Sequence, residues 1–93
     1  MISDFKDDVT QRVFAGEVSK KFERIARVAQ RKLLMIDAAY VLKDLKAPPG
    51  NRLEQLQGNR SANHSIRVND QWRICFIWRD GNAHSVMLED YHT

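Results

Sequence analysis

A chain of 93 residues, 43% hydrophobic and 29% charged, has the composition of a globular domain and approaches neither the disordered nor the membrane extreme. That length supports one small core without metals or disulfides and leaves little volume for an enclosed substrate cavity, so a site is expected on an open surface. The formal net charge is +3, its excess lies in the first half, and every lysine precedes Ala47, which by itself is weak evidence for a nucleic-acid partner.

Residues 1–8 carry acidic side chains where a signal peptide needs a basic start and an apolar stretch, and no later apolar run reaches membrane length. A cytoplasmic protein with no membrane partner is expected. Residues 2–5 read as a short first strand. Asp7 or Asp8 then caps a helix that carries Val9, Val13 and Phe14 toward Gly16. From Ser19, the apolar residues Phe22, Ile25, Ala29, Leu33, Ile36 and Tyr40 recur at three- and four-residue steps until Pro48-Pro49-Gly50 forbids continuation. This predicts one long helix, or two helices with a break. Beyond the prolines the period becomes two, in residues 65–68, 72–78 and 85–91, with a short edge segment at 52–56. Asn69-Asp70 and Asp80-Gly81-Asn82 supply the turn chemistry of an antiparallel meander. No repeat, low-complexity tract or linker divides the chain. Residues 1–93 are therefore expected as a single α+β domain, its N-terminal helices packed on one face of a small antiparallel sheet.

Strand parity assigns the faces. Trp72, Ile74, Phe76 and Trp78 share one side, and Arg73, Cys75 and Ile77 share the other. Burying an unpartnered arginine is costly, so the aromatic side is expected to be core and the Arg73 side open and functional. Cys75 is the only cysteine and reads as a buried, inert thiol. Trp72 and Trp78 read as packing residues, and His64 and His84 as ordinary strand positions. Glu89 and Asp90 are adjacent and so fall on opposite faces, which argues against a metal pair.

Two groups of residues suggest chemistry. On a continuous helix Lys20, Arg24, Arg27 and Arg31 fall within about 60° of one another, opposite the apolar stripe. Glu23 alone offsets the cations from Lys20 to Lys32, so this ridge is either an RNA-phosphate contact or a solvated face. The second group is Arg60, Arg73, Tyr91 and His92, with Glu54 and Asp90. Cutting RNA without metal requires a group that takes the 2′-hydroxyl proton, one that protonates the leaving 5′-oxygen, and cations for the charged phosphorane. Histidine, carboxylate and guanidinium are suited to those three tasks.

The segments Gly58-Asn59-Arg60, His64-Ser65-Ile66-Arg67-Val68, Gln71-Trp72-Arg73-Ile74-Cys75-Phe76 and Glu89-Asp90-Tyr91-His92 resemble the HigB (plasmid maintenance killer) branch of the RelE/ParE toxins. Arg31-Lys32-Leu33, Asp37-Ala38-Ala39 and the loop at 45–50 follow the same pattern. The resemblance implies a compact RelE-like microbial RNase fold and a toxin of a type II toxin-antitoxin system. Such a toxin cleaves messenger RNA on the ribosome, with neither cofactor nor metal. Its implied partners are a helix-turn-helix (HigA-like) antitoxin, the ribosome with its 16S RNA, messenger RNA, and operator DNA only through the antitoxin. It further implies that Arg73 stabilises the scissile phosphate, Arg60 joins the phosphate contacts, Asp90 and Tyr91 orient the substrate, and His92 transfers a proton. Some relatives carry a histidine and a lysine where Glu54 and Gln57 stand. Glu54 is accordingly read as general base with His92 as general acid, or else as an ion-pair partner of Arg60 or Arg73. Two other functions share this outline: a non-catalytic ParE-like inhibitor of DNA topoisomerase, and an RNA-binding regulator without chemistry.

Overall fold

The computed structural model describes residues 1–91. Its sheet is a four-stranded antiparallel meander in the order β1 (Glu54–Gln55), β2 (Asn63–Arg67), β3 (Trp72–Arg79) and β4 (Asn82–Asp90). Two helices, α1 (Asp8–Phe14) and α2 (Ala26–Ala38), pack on one face of it, as the alternation of apolar residues requires. Among the described residues no helix is long and apolar enough to cross a membrane.

Local chemistry explains the turns. Asp80 and Gly81 both have positive φ (54° and 78°), the backbone a two-residue hairpin between twisted strands needs. At the preceding turn the Asn69 side chain accepts from the backbone N–H groups of Gln71 and Trp72. The first residues form two parallel bridges, Ile2 to Ala83 and Phe5 to Val86, so the N-terminal segment lies along β4. Where that segment stops, the backbone N–H of Leu88 donates to the fully buried Thr10 hydroxyl of α1 at 3.0 Å. An inner edge group of β4 is thus satisfied by a helix side chain.

Between α1 and β1 the chain differs from a single long helix. Ser19 starts a 3-10 turn (Lys20–Phe22), three turn residues follow, and α2 begins only at Ala26. No glycine or proline breaks the run. At the interruption the Ser19 side chain accepts from the Phe22 N–H, and Phe22 is buried and meets the Trp72 ring edge-on, with centroids 4.9 Å apart. The apolar stripe itself is as expected, since Phe22, Ile25, Ala29, Leu33 and Ile36 all lie in the core with Ile66, Ile74, Phe76, Val86 and Leu88. Tyr40 does not belong to it. The helix stops at Ala38, the Asp44 carboxylate accepts from the N–H groups of Tyr40 and Val41 at 3.0 and 3.1 Å, and Tyr40 is left 88% exposed.

β4 carries a bulge. Cys75 pairs with Met87 but Ile77 pairs with His84, and Ser85 at the irregularity has φ of 52° with its N–H donating to Asp4 at 2.8 Å. A second irregular feature lies between the layers. Lys32 of α2 is buried and donates to the Asn51 side-chain oxygen, while the Asn51 amide donates to the carbonyls of Leu45 and Ala47 at 3.1 and 3.2 Å. Burial, then the charges of Arg31 and Arg67, hold the Lys32 pKa below its ordinary 10.5.

Asn51→Ala should therefore cost about 2–4 kcal/mol in chemical denaturation, because it leaves a buried ammonium and two carbonyls without their partner. Lys32 binds fewer protons folded than unfolded. The stability of the wild type relative to Lys32→Met should thus increase as pH rises from neutrality toward 10.5, and a flat difference over that range would contradict the burial of a charged lysine.

Candidate active site

The sheet face turned away from the helices carries the second group of residues read from the sequence. Directly paired residues share a face, so Glu54, Ser65, Cys75 and Met87 form one row across the sheet, and Arg67, Arg73 and Glu89 the next. Tyr91 has the parity of Glu89 and continues the same face.

Arg73 points to this face, but the face is not open at that point, contrary to the expectation. Its side chain is only 9% exposed. The cost of burying it is met by partners whose contribution a sequence does not display. Nε donates to the buried Ser65 hydroxyl at 2.8 Å, and Nη2 donates to the backbone carbonyls of Arg52 and Ser65 at 2.6 and 3.3 Å. Arg52 presents its carbonyl from a left-handed conformation with φ of 46°. Nη1 has no such partner among the described residues. The Tyr91 ring lies beneath the guanidinium, 5.8 Å from ring centroid to Cζ, in cation-π range. Glu54, 57% exposed, stands at the rim with its carboxylate 3.9 Å from Nη2, at the limit of an ion pair.

Arg60 joins this face from the loop before β2. Its Nη1 donates to both oxygens of Glu89 at 2.9 and 3.0 Å, and this pairing raises its pKa further. The Cys75 thiol donates to Glu89 at 3.0 Å. Burial first, and then Glu89, push that thiol to about 12, and burial and the neighbouring Cys75 raise Tyr91. Both are neutral at physiological pH, so the charges of the face belong to Arg60, Arg67, Arg73, Glu54 and Glu89, with Arg67 paired to Asp70. Cys75 is buried as expected.

Other expected residues lie elsewhere. Asp90 has the opposite parity to Glu89 and Tyr91, and its carboxylate accepts from the Gln71 side chain at 3.1 Å. The Gln71 carbonyl accepts from the Tyr91 N–H at 2.6 Å, so Asp90 meets the site through the strand end, not beside Tyr91. His92 lies outside the described residues. The ridge of Lys20, Arg24, Arg27 and Arg31 is split by the interruption before Ala26. Lys20 and Arg24 line a groove of about 560 Å³ with Lys21, Gln71 and Trp72, whereas Arg27 borders a different hollow beside Val13 and Gln30. All four cations are exposed. Their alignment required one continuous helix, and the chain instead has a 3-10 turn and a break before Ala26. His64 stacks on Phe76 at 6.4 Å on the core face, and His84 pairs with Asp4 at 3.3 Å.

Sequence reasoning missed Ser65, Glu89 and the Lys32–Asn51 pair. Glu89 had a usable signal, its parity with Tyr91. Ser65 and Asn51 had none, being small polar residues whose burial only the assembled loop creates.

Over residues 3–92 the chain matches the family described as the RelE-like toxin HigB of type II toxin-antitoxin systems. It is 38% identical over 93 residues to a protein of Vibrio cholerae named toxin HigB-1, spanning 98% of each chain. It is 32% identical over 94 residues to a protein of Proteus vulgaris named endoribonuclease HigB, spanning 99% of this chain and all of the relative. An uncharacterised protein of Haemophilus influenzae is 33% identical over 89 residues, covering 94% of this chain and 88% of its own.

With a thiol pKa near 12, native Cys75 should react with iodoacetamide at pH 8 about 1,000-fold or more slowly than the urea-unfolded chain. Glu89→Gln removes one of the groups that raise the thiol and leaves the Arg60 cation beside it, so part of the rate should return. Equal rates for native and unfolded wild type would contradict the arrangement.

Proposed function

The chain belongs to the RelE-like HigB toxins of type II toxin-antitoxin systems, and we propose that it is an endoribonuclease that cuts messenger RNA in the ribosomal decoding site through the RNA's own 2′-hydroxyl, without a metal ion. Membership of a toxin-antitoxin system implies an antitoxin partner. The finer assignment is a HigA-like helix-turn-helix antitoxin that also carries the operator-DNA contact, with action in the cytoplasm, where ribosomes and messenger RNA meet.

The observation that carries this reading is the seating of Arg73. A guanidinium held by three hydrogen bonds to Ser65 and Arg52, with Nη1 lacking such a partner among the described residues and an aromatic ring beneath, is a preorganised cation. It needs no reorganisation to meet charge that develops on a phosphorane. Arg60 supplies a second guanidinium on the same face. Glu54 at the rim is placed to accept the 2′-hydroxyl proton, and its solvent exposure leaves it free to approach RNA. His92 would protonate the 5′-oxygen, next in sequence to Tyr91, which orients the substrate against Arg73. Asp90 would set the strand end through Gln71. Lys20 and Arg24 supply affinity for ribosomal RNA beside that strand end, and Arg27 and Arg31 extend the contact elsewhere on the surface.

Primer extension on a defined messenger RNA, with and without programmed ribosomes and in EDTA that spares the ribosome, tests the reading. Cuts should appear only with ribosomes, and His92→Ala or Arg73→Ala should lower the rate about 100- to 10,000-fold. Glu54→Gln should fall in the same range if the carboxylate takes the proton, and a loss under about tenfold would reduce it to an ion-pair role. No cut by wild type in any condition would overturn the nuclease reading and favour a ParE-like inhibitor.

A further inference from the structure

Beside the scissile-phosphate contacts, and sharing Arg60 with them, the same face holds a small pocket. It measures about 100 Å³ and is lined by Lys6, Arg60, Asn63, Cys75, Ile77 and Met87, among others. A water occupies about 30 Å³ in the liquid and ligand pockets for drug-sized molecules run to several hundred, so this volume suits a group of phosphate size. We propose that this pocket is a second phosphate subsite, which takes the RNA backbone phosphate adjacent to the one being cut, with Lys6 and Arg60 as its cations and Glu89 holding Arg60 at its rim. The proposal rests on the nuclease reading above.

Three features support it. The first is the use made of Arg60. Glu89 engages Nη1 alone, and among the described residues Nε and Nη2 have no partner, so one edge of the fork is pinned and the other is presented. The second is Lys6. Its backbone N–H donates to the Val86 carbonyl at 2.9 Å, which fixes the residue against β4, while its side chain is exposed and enters no ion pair among the described residues. The acids flanking it in sequence are already engaged, Asp4 by the Ser85 N–H and by His84, and Asp7 by the Thr10 N–H. The third is the pocket floor, which is neutral: Ile77 and Met87 are apolar and the Cys75 thiol stays protonated. The acid beside the floor, Glu89, accepts from the Cys75 thiol and is offset by Arg60.

The spacing agrees. Met87 lies two strand residues from Glu89, a rise of about 7 Å, which is comparable to the separation of successive phosphates in an extended RNA strand. Arg60 spans both rows, since it pairs with Glu89 in one and lines the pocket beside Met87 in the other. A phosphate before Arg73 and Tyr91 and its neighbour before Lys6 and Arg60 would hold the strand at two points, which fixes its direction across the face.

The test uses messenger RNAs with a single neutral methylphosphonate placed just before or just after the phosphate that is cut, on programmed ribosomes. For wild type, one of the two substitutions should raise KM about 3- to 10-fold with kcat within twofold. Lys6→Ala should raise KM for the unmodified message to a similar extent, and in that variant the same methylphosphonate should cost nothing more. Lys6→Arg should restore the wild-type response. The exposed position of Lys6 keeps folding out of the comparison. If wild type and Lys6→Ala respond equally to both methylphosphonates, the subsite is wrong and the nuclease reading stands. If wild type cuts no message at all, both fall.

Discussion

A buried guanidinium cannot shed its charge, so the fold must surround Arg73 with acceptors, and much of the described structure is arranged to do so. One acceptor is the Ser65 hydroxyl on the neighbouring strand. Another is the carbonyl of Arg52, which belongs to no strand and takes a left-handed backbone to reach inward. The residue before it, Asn51, is fully buried, ties the loop to the carbonyls of Leu45 and Ala47, and is itself held by Lys32 from the helical layer. A line of polar contacts therefore runs from α2 around the β1 edge of the sheet to the arginine on the opposite face. Each member would be costly to bury alone, and together they satisfy one another.

The electrostatic character of the site follows from the same economy of partners. This is no bare basic patch. Glu89 offsets Arg60, Glu54 stands at the limit of pairing with Arg73, and the acidic hydrogens of Cys75 and Tyr91 are retained because burial disfavours their anions. Two of the guanidinium groups a substrate meets, those of Arg60 and Arg73, are oriented by their partners before it arrives. The exposed cations of Lys20 and Arg24 differ in kind: they project into solvent around a wide groove, suited to affinity that salt can screen, not to oriented chemistry.

How much of this could be read from the sequence depended on how local its cause was. The meander, its two turns and the core face of β3 were legible, because Asp80-Gly81, the Asn69 side chain and the alternation from Trp72 to Trp78 act over a few residues. The interruption before α2 was legible only as one of two alternatives, since the apolar steps fit one long helix or two helices with a break and neither glycine nor proline marks the place. Lys32 looked like one more solvated cation in a basic run, whereas Asn51, 19 residues away, makes its burial tolerable. Arg73 was placed on the correct face for an incomplete reason: the cost of burying arginine was weighed, but the acceptors that meet it come from a loop whose path the residues do not announce.

The bulge at Ser85 gives β4 two frames of alternation. On its hairpin side Ala83 faces the core; beyond it Val86 and Leu88 do, an exchange of odd for even positions within one strand. Residues 85–91 read cleanly as period two because they lie in a single frame, and the hairpin end had to be added by the structure. Ser85 thus works as a phase reset. Evolution can lengthen or rebuild the hairpin tip without turning Glu89 and Tyr91 to the wrong side, provided the one unpaired residue remains to absorb the difference, much as a slack link lets one end of a chain move while the other stays in gear.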